Sequence, residues 1–196
     1  MNIKGNEHSK IDEILVKGVG MRKDGLGGAS TQTGNKEEEM DLVSRLKVKD
    51  YRCEKTSLGG YEIYFKDERV AYSFKKHELY RCLEKEGTDW EKILSSQLLL
   101  DNAIFVPSNN TFFILEIKYQ GTNGSVDEKL QTCDFKLKQY KKLFKSLECK
   151  VEFIYILSER FEELKYKDDL DYIQSVNCQY YIGGIKDLPL NKIGLP

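Results

Sequence analysis

The sequence has few of the residues from which metal centres and catalytic triads are most often built. Only two histidines, His8 and His77, occur in 196 residues, which excludes a histidine-rich metal centre and limits any Ser–His or Cys–His triad to one of these two. The five cysteines are odd in number and include no Cys-x-x-Cys pair, so neither a disulfide framework nor a zinc knuckle fits them. If the protein is an enzyme, its chemistry is expected to depend on carboxylates and lysines.

Long apolar runs are also absent. No stretch reaches the length of about 18 apolar residues that a membrane-spanning helix needs, and the first residues lack the apolar segment of a secretory signal. We therefore expect a cytoplasmic protein with no membrane partner. With 40% hydrophobic residues the chain has enough apolar material for a core, and we expect residues 1–196 to form one domain.

A global charge of the kind found in nucleic-acid binders is missing too, but a local one is present. The chain has 31 basic and 32 acidic residues, with a pI of about 6.2. Between residues 129 and 150, however, seven lysines face only two acidic residues. One interpretation is a solvated helix face; the other is a surface for DNA phosphates, which lysines bind without reading the base sequence.

The first part of the chain contains a glycine-rich segment. Residues 18–34 include six glycines, with hydroxyl and amide side chains between them, and this composition predicts a loop. The loop is either a flexible connector or a backbone that passes close to a ligand, and it matches neither the Walker phosphate loop nor the dinucleotide-binding glycine pattern. Asn35 then caps a predicted helix from Lys36 to about Lys47, since three early glutamates favour the positive end of a helix dipole.

The remaining hydrophobic pattern predicts alternating strands and helices. Residues 151–157 are almost continuously apolar, which is typical of a central strand covered on both faces. This strand follows a strand at 111–119 and a helix at 134–147, and the strand, helix, strand order indicates a right-handed crossover between parallel strands. The other predicted elements are a hairpin of 61–65 and 70–74, helices at about 75–86 and 88–96, a hairpin of 101–106 and 111–119, helices at 134–147 and 168–176, and a strand at 179–182. This order predicts an α/β fold with a central mixed β-sheet flanked by helices.

The second hairpin brings charged residues together. If residues 107–110 form the turn, Val106 pairs with Thr111, and Asp101 falls opposite Glu116. Alternation along the second strand then places Lys118 on the same face as Glu116. Two acids and an ammonium group are therefore expected at the end of a largely apolar strand.

Such a cluster has two interpretations. Burying an isolated carboxylate is costly, and a divalent cation removes that cost, because Mg2+ prefers carboxylate oxygens. Asp101 and Glu116 would hold the ion, and Lys118 would position or deprotonate an attacking water. The alternative is an Asp, Glu and Lys network at a sheet edge that solvent satisfies, and the spacing alone does not separate the two.

These residues resemble a known family. Asp101, followed after fourteen residues by Glu116-Ile117-Lys118 in a hydrophobic hairpin, is similar to the PD-(D/E)XK nuclease superfamily, to which many type II restriction endonucleases belong. The core resemblance covers about residues 97–158, and a weaker one covers about 25–45. Leu100 stands where the family's name has proline. The resemblance implies a restriction-endonuclease-like core within a single nuclease domain.

The resemblance also implies an activity and its partners. It implies a Mg2+-dependent type II restriction endonuclease, with Mn2+ as a substitute ion, that cuts double-stranded DNA at a specific sequence and leaves 5′-phosphate and 3′-hydroxyl ends. A homodimer is the simplest way to cut two strands, and a cognate DNA methyltransferase is an expected partner. The alternatives are a repair or structure-selective nuclease of the same fold and a non-catalytic DNA-binding module.

Further site residues follow from the same resemblance. An acidic residue of the first core helix is expected to complete the metal site: we choose Glu38, because the family's usual Gly-x-x-x-Glu spacing from Gly34 places it there, although the apolar stripe of the predicted helix favours Glu39. Candidates for DNA contacts are lysines of the basic segment, the amide that follows Lys118, and two polar side chains of the glycine-rich loop. They are Lys138, Lys141, Lys142, Gln120, Thr31 and Gln32.

Overall fold

A single seven-stranded mixed sheet organises the protein. The computed structural model describes residues 41–85, 87–119 and 126–196. The strands follow one another across the sheet in chain order, antiparallel from the first to the fifth and parallel from the fifth to the seventh. They are β1 (Arg52–Lys55), β2 (Tyr61–Phe65), β3 (Glu68–Phe74), β4 (Asn102–Val106), β5 (Thr111–Lys118), β6 (Lys150–Leu157) and β7 (Gln179–Ile182).

Helices pack on both faces of this sheet. The described helices are α1 (Leu42–Val48), α2 (Glu78–Lys85), α3 (Val126–Leu130), α4 (Cys133–Leu143), α5 (Lys167–Ser175) and α6 (Gly184–Asp187). One core contains apolar residues of α2, α4 and α5, and the other contains residues of α1 and α6. The predicted α/β architecture with a mixed sheet between helices is thus confirmed. Across the described ranges, no helix is both long enough and apolar enough to cross a bilayer.

The β4–β5 hairpin has the predicted register. Pro107–Asn109 form a single 3-10 turn, and Asn110 takes the left-handed conformation (φ 51°) that asparagine tolerates better than most residues. Val106 pairs with Thr111, and the ladder continues without a bulge to Asn102 opposite Leu115. The register inferred from a four-residue turn is therefore confirmed.

The crossover from β5 to β6 also follows the prediction. β6 pairs in parallel with β5 on one side and with β7 on the other, so it lies inside the sheet. Phe153 and Tyr155 point into one core, and Ile154 and Ile156 point into the other. The continuous apolar run at 151–157 therefore reflects burial on both faces.

The predicted helix over 36–47 does not continue through Asp41, and its part over 36–40 lies outside the described part of the chain. Asp41 has an extended backbone (ψ 165°), and its side-chain Oδ1 accepts a hydrogen bond from the Ser44 N–H at 2.7 Å, so α1 begins at Leu42. The carboxylate also pairs with the Lys75 ammonium group. The glutamates before residue 41 favoured an earlier start because they suit a helix N-terminus, but Asp41 satisfies the first turn itself. Residues 18–34, the predicted loop, lie outside the described part of the chain.

The predicted helix over 88–96 is also wrong. Only one 3-10 turn forms, at Trp90–Lys92, and no side chain caps it. Beyond this turn the chain is irregular, and the Tyr80 hydroxyl accepts a hydrogen bond from the Leu98 N–H at 2.6 Å. Trp90 is half-buried and packs edge-on against Tyr80, with ring centroids 5.3 Å apart.

Replacing Asp41 by alanine is expected to lower the free energy of unfolding by about 1 kcal/mol at neutral pH, since the cap of α1 is lost. Burial raises the pKa of Asp41, but the Lys75 ammonium group and the Ser44 N–H outweigh it and hold the pKa below its ordinary value. The charged Asp41 carboxylate thus stabilises the protein at pH values above the pKa that Asp41 has in the unfolded chain. This stabilisation is lost as the pH falls through the lower pKa that Asp41 has in the folded protein. Urea unfolding of native protein and Asp41→Ala, at neutral and acidic pH, measures both effects.

Asp41→Asn is the matched control, because asparagine caps a helix about as well as aspartate but carries no charge. We expect it to unfold closer to native protein than Asp41→Ala does. A difference between native and Asp41→Ala protein that stays constant into acid would contradict the role of the charge.

Candidate active site

The hairpin places Asp101 beside the end of β5. Extending the register by one pair beyond Asn102 and Leu115 puts Asp101 opposite Glu116, as the sequence predicted. The Asp101 carboxylate turns toward the neighbouring strand, where Oδ2 accepts a hydrogen bond from the Ile117 N–H at 2.8 Å. One oxygen of Asp101 is thus fixed by the backbone, which holds the side chain at the end of the sheet.

Glu116 lies at the centre of the cluster. Its side chain is only 12% exposed, and its Oε1 lies 2.6 Å from the Lys118 Nζ. Alternation places both residues on the sheet face that α4 covers, the face where Phe112 and Ile114 join the core. Glu116 and Lys118 therefore meet on one face, in agreement with the predicted alternation.

A second lysine, Lys136 from α4, completes the contacts of Glu116. Its Nζ donates to Oε1 at 2.6 Å and to Oε2 at 2.7 Å. The sequence prediction counted Lys136 in the basic segment but gave it no role in the site. A signal was available, because Lys136 lies three residues after Cys133 and four before Tyr140, and both of these face the core.

Buried tyrosines surround the same carboxylate. Tyr140 belongs to α4, and Tyr155 is the parallel partner of Glu116 on β6. Burial raises the pKa of Tyr140, and the charges of Tyr80, Glu116 and Asp101 add to the rise. Burial followed by the charge of Glu116 likewise raises the pKa of Tyr155. Both phenols are therefore neutral near physiological pH, and in the described part of the chain the charged groups bound to Glu116 are its two lysines.

Hydroxyl groups fix the chain on the approach to Asp101. Tyr140 donates to the Leu98 carbonyl at 3.1 Å, and Tyr80 both donates to that carbonyl and accepts from the Leu98 N–H. Leu100 is buried at the end of the same segment. Although Leu100 is not a proline, the segment before Asp101 is held by hydrogen bonds and burial.

No family model, curated protein or solved structure matches this chain. Its function is therefore inferred from the chemistry of the cluster itself.

Asp101 and Glu116 offer a suitable but small set of donors for a cation. In the three described ranges, no group of three or more His, Cys, Asp or Glu side chains could hold a metal ion. Two carboxylates are nevertheless compatible with Mg2+, which takes one or two carboxylates and completes its coordination with water and substrate phosphate. The carboxylates of Asp101 and Glu116 therefore fit a magnesium ion if the lysines that contact Glu116 move away from its oxygens.

The lysines of α4 and the following turn divide into two groups. Lys136 turns inward to Glu116, whereas Lys138, Lys141, Lys142 and Lys145 are exposed on the outer surface. Lys138 also pairs with Asp134 at 2.6 Å and is 67% exposed. This outer surface, Lys138 to Lys145, carries the charge expected for phosphate contacts, and it lies on the side of α4 that faces away from Lys136 and the core.

Several predicted site residues lie outside the described part of the chain. They are Thr31, Gln32, Glu38, Glu39 and Gln120. The preference for Glu39 assumed one helix running through residue 41, and the extended backbone of Asp41 removes that support. The choice of Glu38 remains a prediction.

Proposed function

We propose that the protein is a Mg2+-dependent endonuclease of the PD-(D/E)XK type that hydrolyses phosphodiester bonds of double-stranded DNA. The observation that carries this proposal is the cluster at the end of β5, where Glu116 binds Lys118 beside the backbone-anchored Asp101. The position of this cluster at the end of a buried hairpin next to a parallel strand also supports a restriction-endonuclease-like core.

Each side chain has a distinct part in the proposed reaction. Asp101 and Glu116 would hold Mg2+, which when bound supplies Lewis acidity toward the scissile phosphate. Lys118 orients the attacking water from a fixed position, since its Nζ lies 2.6 Å from Glu116 Oε1 and both residues belong to one strand. The Ile117 N–H keeps Asp101 in place throughout, because the strand backbone does not need to move.

The substrate and partners follow from the surroundings of the cluster. The outer surface, Lys138 to Lys145, would bind DNA phosphates along α4. A type II restriction endonuclease acting on a specific sequence, as a homodimer and beside a cognate methyltransferase, is the form of the proposal that the sequence resemblance favours. A repair or structure-selective nuclease would use the same cluster on other DNA.

Cleavage of a plasmid library tests the proposal. Purified protein is incubated with supercoiled plasmids carrying random inserts, in Mg2+, in Mn2+ and in EDTA, and the new DNA ends are sequenced. We expect metal-dependent double-strand cuts at one recurring sequence, with 5′-phosphate ends. Cuts confined to nicked or branched DNA would instead indicate the repair nuclease, and cleavage that persists in EDTA would contradict the proposed chemistry.

One observation favours a second candidate, a non-catalytic DNA-binding module. Both oxygens of Glu116 are already bound by lysines, so the cluster is neutralised without any metal ion. Such a module would shift duplex DNA in a gel without cutting it in Mg2+ or Mn2+. Its affinity for DNA would also be unchanged by Glu116→Gln.

A further inference from the structure

The Glu116 carboxylate has more positive partners than its own charge requires. Lys136 binds both of its oxygens, at 2.6 and 2.7 Å, and Lys118 binds Oε1 at 2.6 Å. One ammonium group would be enough to neutralise one buried carboxylate. Counting Asp101, the side chains of the cluster that the structure describes carry two negative and two positive charges, which balance one another.

A divalent cation cannot simply be added to this cluster. The two charges of the cation would leave the described side chains of the cluster with an excess of two positive charges in a half-buried place. The ammonium groups also occupy the Glu116 oxygens that would bind the cation, so they oppose its approach. At least one lysine must therefore leave the carboxylate.

The two lysines differ in their freedom to leave. Lys118 is two residues from Glu116 on the same strand and face, so its position is tied to that of the carboxylate. Lys136 reaches Glu116 from α4, across the gap between helix and sheet, on a four-carbon stem. Its side chain is 25% exposed, against 20% for Lys118, so its ammonium group can reach solvent. Lys136 is thus the group that can move without disturbing the strand.

We propose that Lys136 is a positioning residue that holds the Glu116 carboxylate in place of a divalent cation and releases it when the cation binds. This inference rests on the proposed function for the nature of the ion. Lys136 keeps the carboxylate oriented and neutral in the metal-free protein, and it makes occupation of the site by metal alone unfavourable. DNA phosphates beside the released ammonium group would stabilise it, so metal and DNA would favour each other's binding.

Titration calorimetry with Mn2+ in the absence of DNA tests the exchange directly. We expect Lys136→Met to bind Mn2+ at least about tenfold more tightly than native protein, because a competing positive charge is removed. Lys136→Arg should bind about as weakly as native protein, since the charge is restored. Lys186→Met, which changes an exposed lysine of α6 on the opposite face of the sheet, should leave the affinity unchanged.

The gain should disappear when Glu116 is also changed to glutamine, because Lys136 then has no carboxylate to occupy. Equal or weaker Mn2+ binding by Lys136→Met, or no binding by any variant, would overturn the inference. If Lys136→Met does not fold, as judged by thermal unfolding, Lys136→Gln takes its place with the same expectation.

Plasmid cleavage by native protein, measured in parallel, separates the two proposals. Cleavage without a gain in Mn2+ affinity refutes the role of Lys136 alone. A gain in affinity without any cleavage refutes the nuclease and leaves a cation site controlled by Lys136.

Discussion

Glu116→Gln is expected to reduce DNA cleavage by about 10³-fold or more, since loss of roughly 4 kcal/mol of metal-derived transition-state stabilisation has that effect on the rate. The amide keeps the size of the side chain but binds a hard cation far less well than a carboxylate. It also leaves Lys118 and Lys136 without the charge that now holds them. Single-turnover cleavage of a plasmid in saturating Mg2+ measures the loss.

Glu91→Gln is the matched control, because Glu91 is an exposed glutamate in the turn at Trp90–Lys92. It should cut DNA at the native rate. Lys118→Met provides a second test within the cluster, with Glu116 still neutralised by Lys136. If both Glu116→Gln and Lys118→Met are folded and cut at the native rate, the site is not at the end of β5.

The largest effect on stability is expected at Phe112, where Phe112→Ala should lower the free energy of unfolding by about 3–5 kcal/mol. Phe112 is buried on β5, and its ring stacks on Phe144 with centroids 4.3 Å apart and planes at 10°. Phe105 and Phe74 contact the other sides of the ring, at 4.9 and 6.2 Å between centroids. Alanine would leave a cavity among three rings that belong to two strands and the chain after α4.

Equilibrium urea unfolding of native and variant proteins measures this loss. Phe135→Ala removes the same ring from α4 at a position that is 59% exposed, and it should change stability by no more than about 0.5 kcal/mol. Phe112→Leu should recover part of the loss by refilling the cavity. A loss at Phe112→Ala as small as that at Phe135→Ala would mean that the aromatic group is not a main support of the sheet.

Features set by neighbouring residues could be predicted from the sequence. The β4–β5 register depends on a four-residue turn and a period of two, both visible in the chain, and the observed pairs from Val106–Thr111 to Asn102–Leu115 confirm it, so that its extension by one pair puts Asp101 opposite Glu116. The buried face of α4 and the strand β7 follow from the same kind of local pattern. These features made the acidic pair and Lys118 predictable.

Features that depend on distant contacts could not be predicted in the same way. The Asp41 carboxylate caps α1 locally, but its pairing with Lys75 spans 34 residues. The backbone at Leu98, just after the predicted helix over 88–96, is bound by the Tyr80 hydroxyl from 18 residues earlier. Lys136 was counted as one basic residue among seven because its partner, Glu116, is 20 residues earlier in the chain.

The connection lengths around the cluster imply an order of assembly during folding. The β4–β5 hairpin closes over a tight turn, so Asp101, Glu116 and Lys118 can meet through short-range contacts. Hairpins of this kind form in about 1–10 μs. Lys136 arrives only when α4 docks, and α4 docks with the parallel pairing of β5 and β6, which closes a much longer loop. Without α4 in place, the hairpin end has two carboxylates and one ammonium group, and Lys136 supplies the second positive charge only when the helix packs on the sheet.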